Sequence, residues 1–397
     1  MKNQIIYISY DGVLDNLGYS QIVCYLKDLS KNYDIILISY EKKTNLKNSN
    51  IKNLSKELLD NNIEWHYLKY HKYPKTLSTI YDIFLGSILL YYLLIKKKID
   101  IVHCRSYIPG LIVLIFSFLK KFKIIFDIRG FWIDEKSDRS GLKKNSFTYR
   151  FFKKIEKKLF FKSDYIITLT RNSKKILIDK YPNFLKEKIT VIPTCADPKL
   201  FFYDHQNIKY LSQKDEIVLG YIGSADTAYN IEKVIIFYSY LINDIKKIRL
   251  KILTETSHDI IQNLMKKHKI PTNKFSINYV NRNKIYEEIL EFDFGVFYLN
   301  ENYSVKASFP TKIAEFLLCG KPIICNNFNE DIFDILKMNK IGYIYDFNQK
   351  EYEKVLKFIK EFNKDNEISN KCNEFAYNNL SLQYGSNEYK KIYELLV

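Results

Sequence analysis

Short runs of β-branched and aromatic residues alternate along the first half of the chain with longer segments whose apolar positions recur every three or four residues. The runs are Ile5–Ser9, Ile35–Ser39, Trp65–Leu68, Ile101–Cys104, Ile124–Asp127, Tyr165–Thr170 and Thr190–Ile192. Helical spacing occupies Ser20–Lys31, Ile51–Asn61 and Arg150–Phe161, among others. Apolar strands separated by helices predict a parallel sheet covered on both faces. The alternation then restarts. Ile217–Ile222, Leu250–Thr254, Phe275–Tyr279, Phe294–Tyr298, Pro322–Cys325 and Ile341–Tyr345 read as strands, with a helix from Ile231 to Leu241 after the first. This predicts a second α/β sheet, joined to the first across the polar, proline-bearing segment Pro193–Asp215. The expected divisions are residues 1–195, residues 196–376 and a terminal helix, 377–397, packing back on the first domain. Tyr377, Leu380, Tyr384 and Tyr389 are its expected anchors.

A length of 397 residues suits two domains, and 47% hydrophobic against 27% charged residues excludes a disordered chain. The 62 Lys and Arg outnumber 45 Asp and Glu, and the formal charge of +17 draws polyanions: nucleic acid, anionic lipid or phosphorylated small molecules. None of the six cysteines forms a CxxC pair and His is sparse, so no zinc site is expected and the thiols fit a reducing cytoplasm. No secretory signal precedes the first strand. The apolar stretches Ile80–Ile95 and Tyr107–Leu119 fall short of the roughly 18–20 residues that span a bilayer. Both are expected to be buried helices.

In such sheets ligands gather at the carboxyl ends of the strands, here facing a cleft between the two domains. After the first strand, Asp11-Gly12 leads through Gly18-Tyr19-Ser20-Gln21 into a helix, with Ser20 as its expected cap. The loop carries neither GxGxxG nor GxxxxGK[ST], which disfavours dinucleotide and P-loop sites. After the strand at Ile124 stand Asp127, Arg129, Trp132, Asp134 and Glu135. Asp127 and Arg129, two apart on a strand, would share a face, and Arg offers a bidentate hold on a ligand. Between Lys136 and Lys162, ten basic residues meet two acidic ones, with six Phe and Tyr interleaved. That block reads either as a membrane-surface helix or as a core face with lysines in water. Gly223-Ser224, directly after Ile222, would bring backbone N–H groups to a diphosphate. The most informative stretch runs from Ser304 to Cys325. Pro310 suits a first helical turn, with Ser308 as its cap. Lys312 lies near that helix N-terminus, where its charge opposes the dipole unless an anion binds. Glu315, three residues on, shares its face. A Lys for phosphate and a Glu for paired hydroxyls make a nucleotide–ribose clamp.

The segment from Ser308 to Pro322 resembles the nucleotide-sugar signature of the group 1 (family 4) glycosyltransferases: a Glu, seven residues, a second Glu, then a Gly-x-Pro strand. Glu315 matches the second, ribose-binding Glu, whereas the first falls on Ala307. Tyr10-Asp11-Gly12 with Gly18–Gln21, and Asp127–Trp132 with Asp134-Glu135, resemble the first loop and cleft strand of one subgroup, in which many members carry His at the place of Arg129. Val191-Ile192-Pro193 with Asp197 and Phe201 is similar to the interdomain signature, and Gly220–Ser224 to the first strand-turn of the second domain. The resemblance implies the GT-B fold, an α/β arrangement of two Rossmann-like doubly wound parallel-sheet domains facing a cleft, with the donor bound mainly by the C-terminal one. It further implies retaining transfer from a UDP- or GDP-linked sugar to a saccharide or lipid-linked acceptor, in surface-polysaccharide synthesis, with neither cofactor nor metal. The expected donor contacts are Gly18, Gly223, Ser224, Lys306, Ser308, Thr311, Lys312 and Glu315. Asp127 and Arg129 are the expected catalytic residues, with Trp132 as a flat face for a sugar ring.

Two other classes remain open. A GT-B nucleotide-sugar epimerase would bring further carboxylates and His into its cleft, and this chain has only six His. A non-catalytic accessory subunit remains open because of Ala307. No nucleic-acid motif is present, so nucleic acid is not an expected partner. An anionic membrane surface is the expected partner of Lys143–Lys162, at the cytoplasmic face of the cell membrane.

Overall fold

The computed structural model describes residues 2–119, 121–203, 216–225, 228–347, 351–362 and 366–397. Much of the expected joint, 204–215, lies outside the described residues. The chain forms two compact units, Met1–Thr194 with Leu382–Val397, and Cys195–Ser381.

In the first unit the apolar runs become β1 (Gln4–Ser9), β2 (Asp34–Glu41), β3 (Ile63–Lys69), β4 (Ile101–Arg105), β5 (Lys123–Asp127), β6 (Tyr165–Thr168) and β7 (Ile189–Val191). They form a parallel sheet ordered β3-β2-β1-β4-β5-β6-β7. In the second, β8 (Ile217–Ile222), β9 (Ile248–Leu253), β10 (Phe275–Asn278), β11 (Phe294–Phe297), β12 (Ile323–Cys325) and β13 (Gly342–Ile344) are ordered β10-β9-β8-β11-β12-β13. Each sheet grows outward in both directions from its first strand. The order reverses between β1 and β4, and again between β8 and β11, as in a doubly wound Rossmann-like domain. The central strands are buried on both faces; in β1 Ile5, Ile6, Tyr7 and Ile8 are all enclosed. Register sets Ser9 beside Arg105 and Arg105 beside Asp127, so these residues end three neighbouring strands at one level.

Several helix starts are capped by side chains. Ser146, Thr170, Asn230 and Asn329 each accept a backbone N–H of the following turn. Ser20 does not: the helix begins at Asn16, passes through a five-residue π-turn, Tyr19–Val23, and the Ser20 hydroxyl donates to Leu17 O at 3.1 Å. The stretch Ile80–Ile95 also departs from expectation. It lies within the 22-residue helix Lys75–Lys96, which contrary to expectation is long and apolar enough to cross a membrane by length and composition; it buries only one face, because Asp82 on that face is hydrogen-bonded into the domain and the apolar side chains point outward.

Candidate active site

Asp127 ends β5 with its side chain fully buried. Tyr389 Oη donates to its Oδ2 at 2.9 Å, and three further groups converge on the same oxygen: Arg129 Nη1 at 3.8 Å, Arg105 Nη1 at 3.9 Å and His103 Nε2 at 3.8 Å. Burial would raise the carboxyl, but Arg129, His103 and Arg105 outweigh it and hold Asp127 at about 2. Burial lowers His103 against the pull of Asp127, and its Nδ1 pairs with Tyr393 Oη at 2.8 Å. Arg129 reaches this cluster differently from the strand-alternation argument. The strand has ended, and Arg129 takes a left-handed backbone with φ 52°. Ser106, at the end of β4, has φ 71°. Two strained non-glycine residues after adjacent strands mark a site whose geometry is held by its surroundings. Arg129 Nη2 also lies 3.5 Å from Gln21 Oε1 and 3.4 Å from Thr194 Oγ1, with 13% of its side chain exposed. Arg105 Nε is 3.7 Å from Asp11 Oδ2, tying the first loop to the cluster.

Other residues of that stretch serve the fold. Trp132 stacks on Tyr107 at 5.7 Å, meets the Phe152 edge at 5.3 Å and has Lys136 over its ring, so the ring expected as a sugar platform is half-buried and partly occupied by these contacts. Asp134 accepts from Tyr149 Oη at 2.6 Å and Lys153 Nζ at 3.0 Å, and Glu135 pairs with Arg139. Gly18 is helical and buried. A Cβ there would stand 1.9 Å from Gly12 O, so its small size lets two parts of the first loop touch.

The second cluster sits where β8 and β11 diverge. The helix Thr311–Leu318 follows a 3-10 turn, Tyr303–Ala307, and begins after Pro310, so Ser308 does not cap it; the Ser308 carbonyl instead accepts from Asn329 Nδ2 at 3.1 Å. Lys312 is 7% exposed and donates to Ile222 O, at the end of β8. Its ammonium lies 3.6 Å from the centre of the Tyr229 ring and within 5.2 Å of those of Tyr221 and Phe297. Burial, opposed only by Glu315, brings Lys312 down to about 7. Glu315 is 5% exposed; burial raises its carboxyl against the Arg282 guanidinium, which donates to Oε1 at 2.9 Å. Gly223, with φ 131°, leaves room for the lysine: a Cβ would stand 2.8 Å from Nζ. Its N–H donates to Leu253 O at 3.0 Å, so this amide does not serve a diphosphate as expected. Ser224 and Thr311 are half-buried beside the lysine-bearing turn, while Lys306 is exposed over Tyr303. Ala307 is fully buried, with no side chain to reach a ligand.

The structure thus joins Lys312, Glu315 and Gly223 at one strand end, and Asp127 and Arg129 at another. The sequence reading missed His103 and Arg105, whose signal was two polar residues closing an otherwise apolar strand. It also missed Arg282, which had none, and Asn329. The Asn329 amide nitrogen lies within 3.3 Å of the carbonyls of Val305, Lys306 and Ser308 and pins the loop before the helix.

Two doubly wound parallel sheets in tandem, each with a polar cluster where its strand order reverses, define a protein of the GT-B class. One family description, "Glycosyltransferase Family 4", matches residues 28–200, and another, "Glycosyl transferases group 1", matches residues 203–379. The chain belongs to the group 1 glycosyltransferases. An uncharacterized glycosyltransferase of Methanocaldococcus jannaschii, MJ1069, is 23% identical over 265 residues; the match spans 64% of this chain and 64% of that relative's length. Among solved structures, a sucrose-phosphate synthase from Thermosynechococcus elongatus shares the fold with a TM-score of 0.72 at 12% identity, covering 100% of this chain and 99% of that one. A glycosyltransferase from Rickettsia africae gives 0.72 at 16%, covering 100% and 98%. Anabaena HepE in complex with UDP gives 0.69 at 12%, covering 100% of both.

Proposed function

We propose that this protein moves a sugar, with retention of configuration, from a nucleotide-sugar donor to a saccharide or lipid-linked acceptor in surface-polysaccharide synthesis. The observation that carries this reading is the buried Lys312–Glu315 pair at the carboxyl end of the second sheet. HepE is described in complex with UDP and with UDP-glucose, which makes uridine nucleotides the first donors to test. In this reading Glu315 accepts hydrogen bonds from the ribose hydroxyls. The Lys312 ammonium meets the diphosphate and stabilises it as the bond to the sugar breaks. No protein nucleophile is needed: the departing phosphate oxygen takes the acceptor proton as the new glycosidic bond forms on the same face. Arg129 acts on the acceptor side, and Asp127, with no exposed surface, positions it. The exposed Lys154, Lys157 and Lys158 add a minor share of the charge for association with the inner membrane face, whereas Lys153 is taken by Asp134 and Glu156.

Incubation with labelled nucleotide sugars tests the reading. Transfer or hydrolysis that survives EDTA is expected. An isomerised donor would mean an epimerase, and an untouched donor an accessory subunit. Glu315→Gln should weaken nucleotide binding by the ~1.5–3 kcal/mol of a hydrogen bond to a charged group; an unchanged dissociation constant removes the donor assignment.

A further inference from the structure

The helix Lys75–Lys96 is turned inside out. Its inward row is Ser78, Asp82, Gly86, Leu90 and Leu93. Asp82 accepts from Tyr10 Oη at 2.7 Å and pairs with His71 Nδ1 at 2.6 Å, and its carbonyl accepts from Tyr40 Oη at 2.7 Å. At Gly86 a Cβ would stand 2.1 Å from Tyr40 Oη, so the helix lies close on the domain. The outward row is apolar: Leu77, Ile80, Phe84, Ile88, Tyr91 and Ile95, spaced three or four apart and each at least half exposed. The stripe is about 27 Å long at ~1.5 Å per residue. The neighbouring helix extends it: Phe116 stacks on Tyr91 at 5.9 Å, and Phe118 beyond it is 71% exposed. A soluble monomer does not leave such a continuous apolar face to water without a partner.

The partner is indicated by what frames the stripe. From Lys69 to Lys98 the chain carries six lysines and one acidic residue, Asp82, which is buried. Each end carries a lysine over an exposed tyrosine ring: Lys72 over Tyr73 at 5.4 Å, and Lys96 over Tyr92 at 6.0 Å. For a helix lying in the plane of the membrane, the apolar row would face the acyl chains along its whole length while the lysines and tyrosines near its two ends lie at the level of anionic headgroups. The buried polar bonds of Asp82 hold the helix to its domain, so it lies in the interface rather than crossing it. We propose that the helix Lys75–Lys96, with the adjoining Phe118 turn, docks this protein on an anionic lipid bilayer. This goes beyond the transfer reading and does not depend on it.

The test is co-sedimentation of the full chain with phosphatidylglycerol-containing vesicles and with pure phosphatidylcholine vesicles. Binding to the anionic vesicles is expected, with Phe84→Glu/Ile88→Glu lowering it at least tenfold at unchanged melting temperature and nucleotide affinity. Phe84→Leu should bind as the parent does. Lys154→Gln/Lys157→Gln/Lys158→Gln should retain most binding. Equal sedimentation of the double-Glu variant, or its loss only in the triple-Gln variant, overturns the proposal. So does a parent that is dimeric by light scattering, becomes monomeric in the double-Glu variant and binds no vesicle, which would assign the face to a second copy. Resistance of the bound protein to alkaline carbonate extraction would mean a crossing helix and also overturns it.

Discussion

Lys312 carries a charge that the protein alone does not fully support. Its ammonium is enclosed by three aromatic rings and one carbonyl, and burial leaves it near pH 7 instead of its ordinary 10.5. In the free protein, stability therefore rises with pH between about 7 and 10.5, because there the unfolded chain binds a proton that the folded chain has lost. A diphosphate reverses the preference and favours the charged lysine. Nucleotide affinity should be flat below pH 7 and fall by up to tenfold per unit above it. Calorimetry in buffers of different ionisation enthalpy should show proton uptake on binding at pH 8, absent in Lys312→Met; binding without uptake would detach the lysine from the phosphates. Arg129 is the matching residue of the first unit. Arg129→Ala should lower turnover and leave nucleotide affinity unchanged, since the proposed nucleotide site lies in the other unit. Asp127→Asn removes the charge that balances two guanidinium groups in a buried site. It should lower turnover and also stability, by the ~3–5 kcal/mol typical of a broken buried pair, read as a lower melting temperature. Full activity in both variants would return the cluster to a purely structural role.

At the scale of elements, each site depends on a loop after a strand and on what holds that loop. Asn329 caps the helix Glu330–Asn339 through Oδ1 and donates to the carbonyls of Val305, Lys306 and Ser308 through Nδ2. Asn329→Ala loses a cap of ~1 kcal/mol and leaves buried carbonyls unpaired at ~1–3 kcal/mol. It should lower thermal stability and weaken nucleotide binding together. A stability loss with unchanged binding would show that the Lys312 turn keeps its place without this amide. The strands themselves were legible in the sequence, because a parallel strand buried on both faces needs an unbroken apolar run. The helix Lys75–Lys96 was not. Its composition resembles a core helix, and the inward turn of Asp82 depends on Tyr10, Tyr40 and His71. Capping was misread at both places it was expected: the Ser20 hydroxyl bonds back to Leu17 O beside a π-turn, and the helix expected to start at Ser308 begins only after Pro310.

At the scale of the whole molecule, the chain leaves the first unit at Thr194 and returns to it at Leu382. The final helix, Leu382–Leu396, completes the first unit's core: Tyr389 packs on Tyr25 at 5.5 Å and bonds Asp127, and Tyr393 packs on Tyr33 at 5.2 Å and bonds His103. Ending the chain at Ser381 should therefore destabilise the first unit while the second still binds nucleotide. Two calorimetric transitions, only one of them lowered, would show this; a single shared loss would not fit.

Local order along the chain was enough to predict two parallel α/β sheets, their strands to within two residues, and Lys312 and Glu315 three apart on one helix, because periodicity and short spacings are local properties that burial then enforces. Folding alone brought together Asp127, Arg105, His103 and Tyr389, and set Arg282 on Glu315. These partners lie 22 to 262 residues apart, and no local pattern encodes which side chains will share a buried charge. The left-handed turn at Arg129 belongs with them, since its strain is affordable only where surrounding contacts hold it.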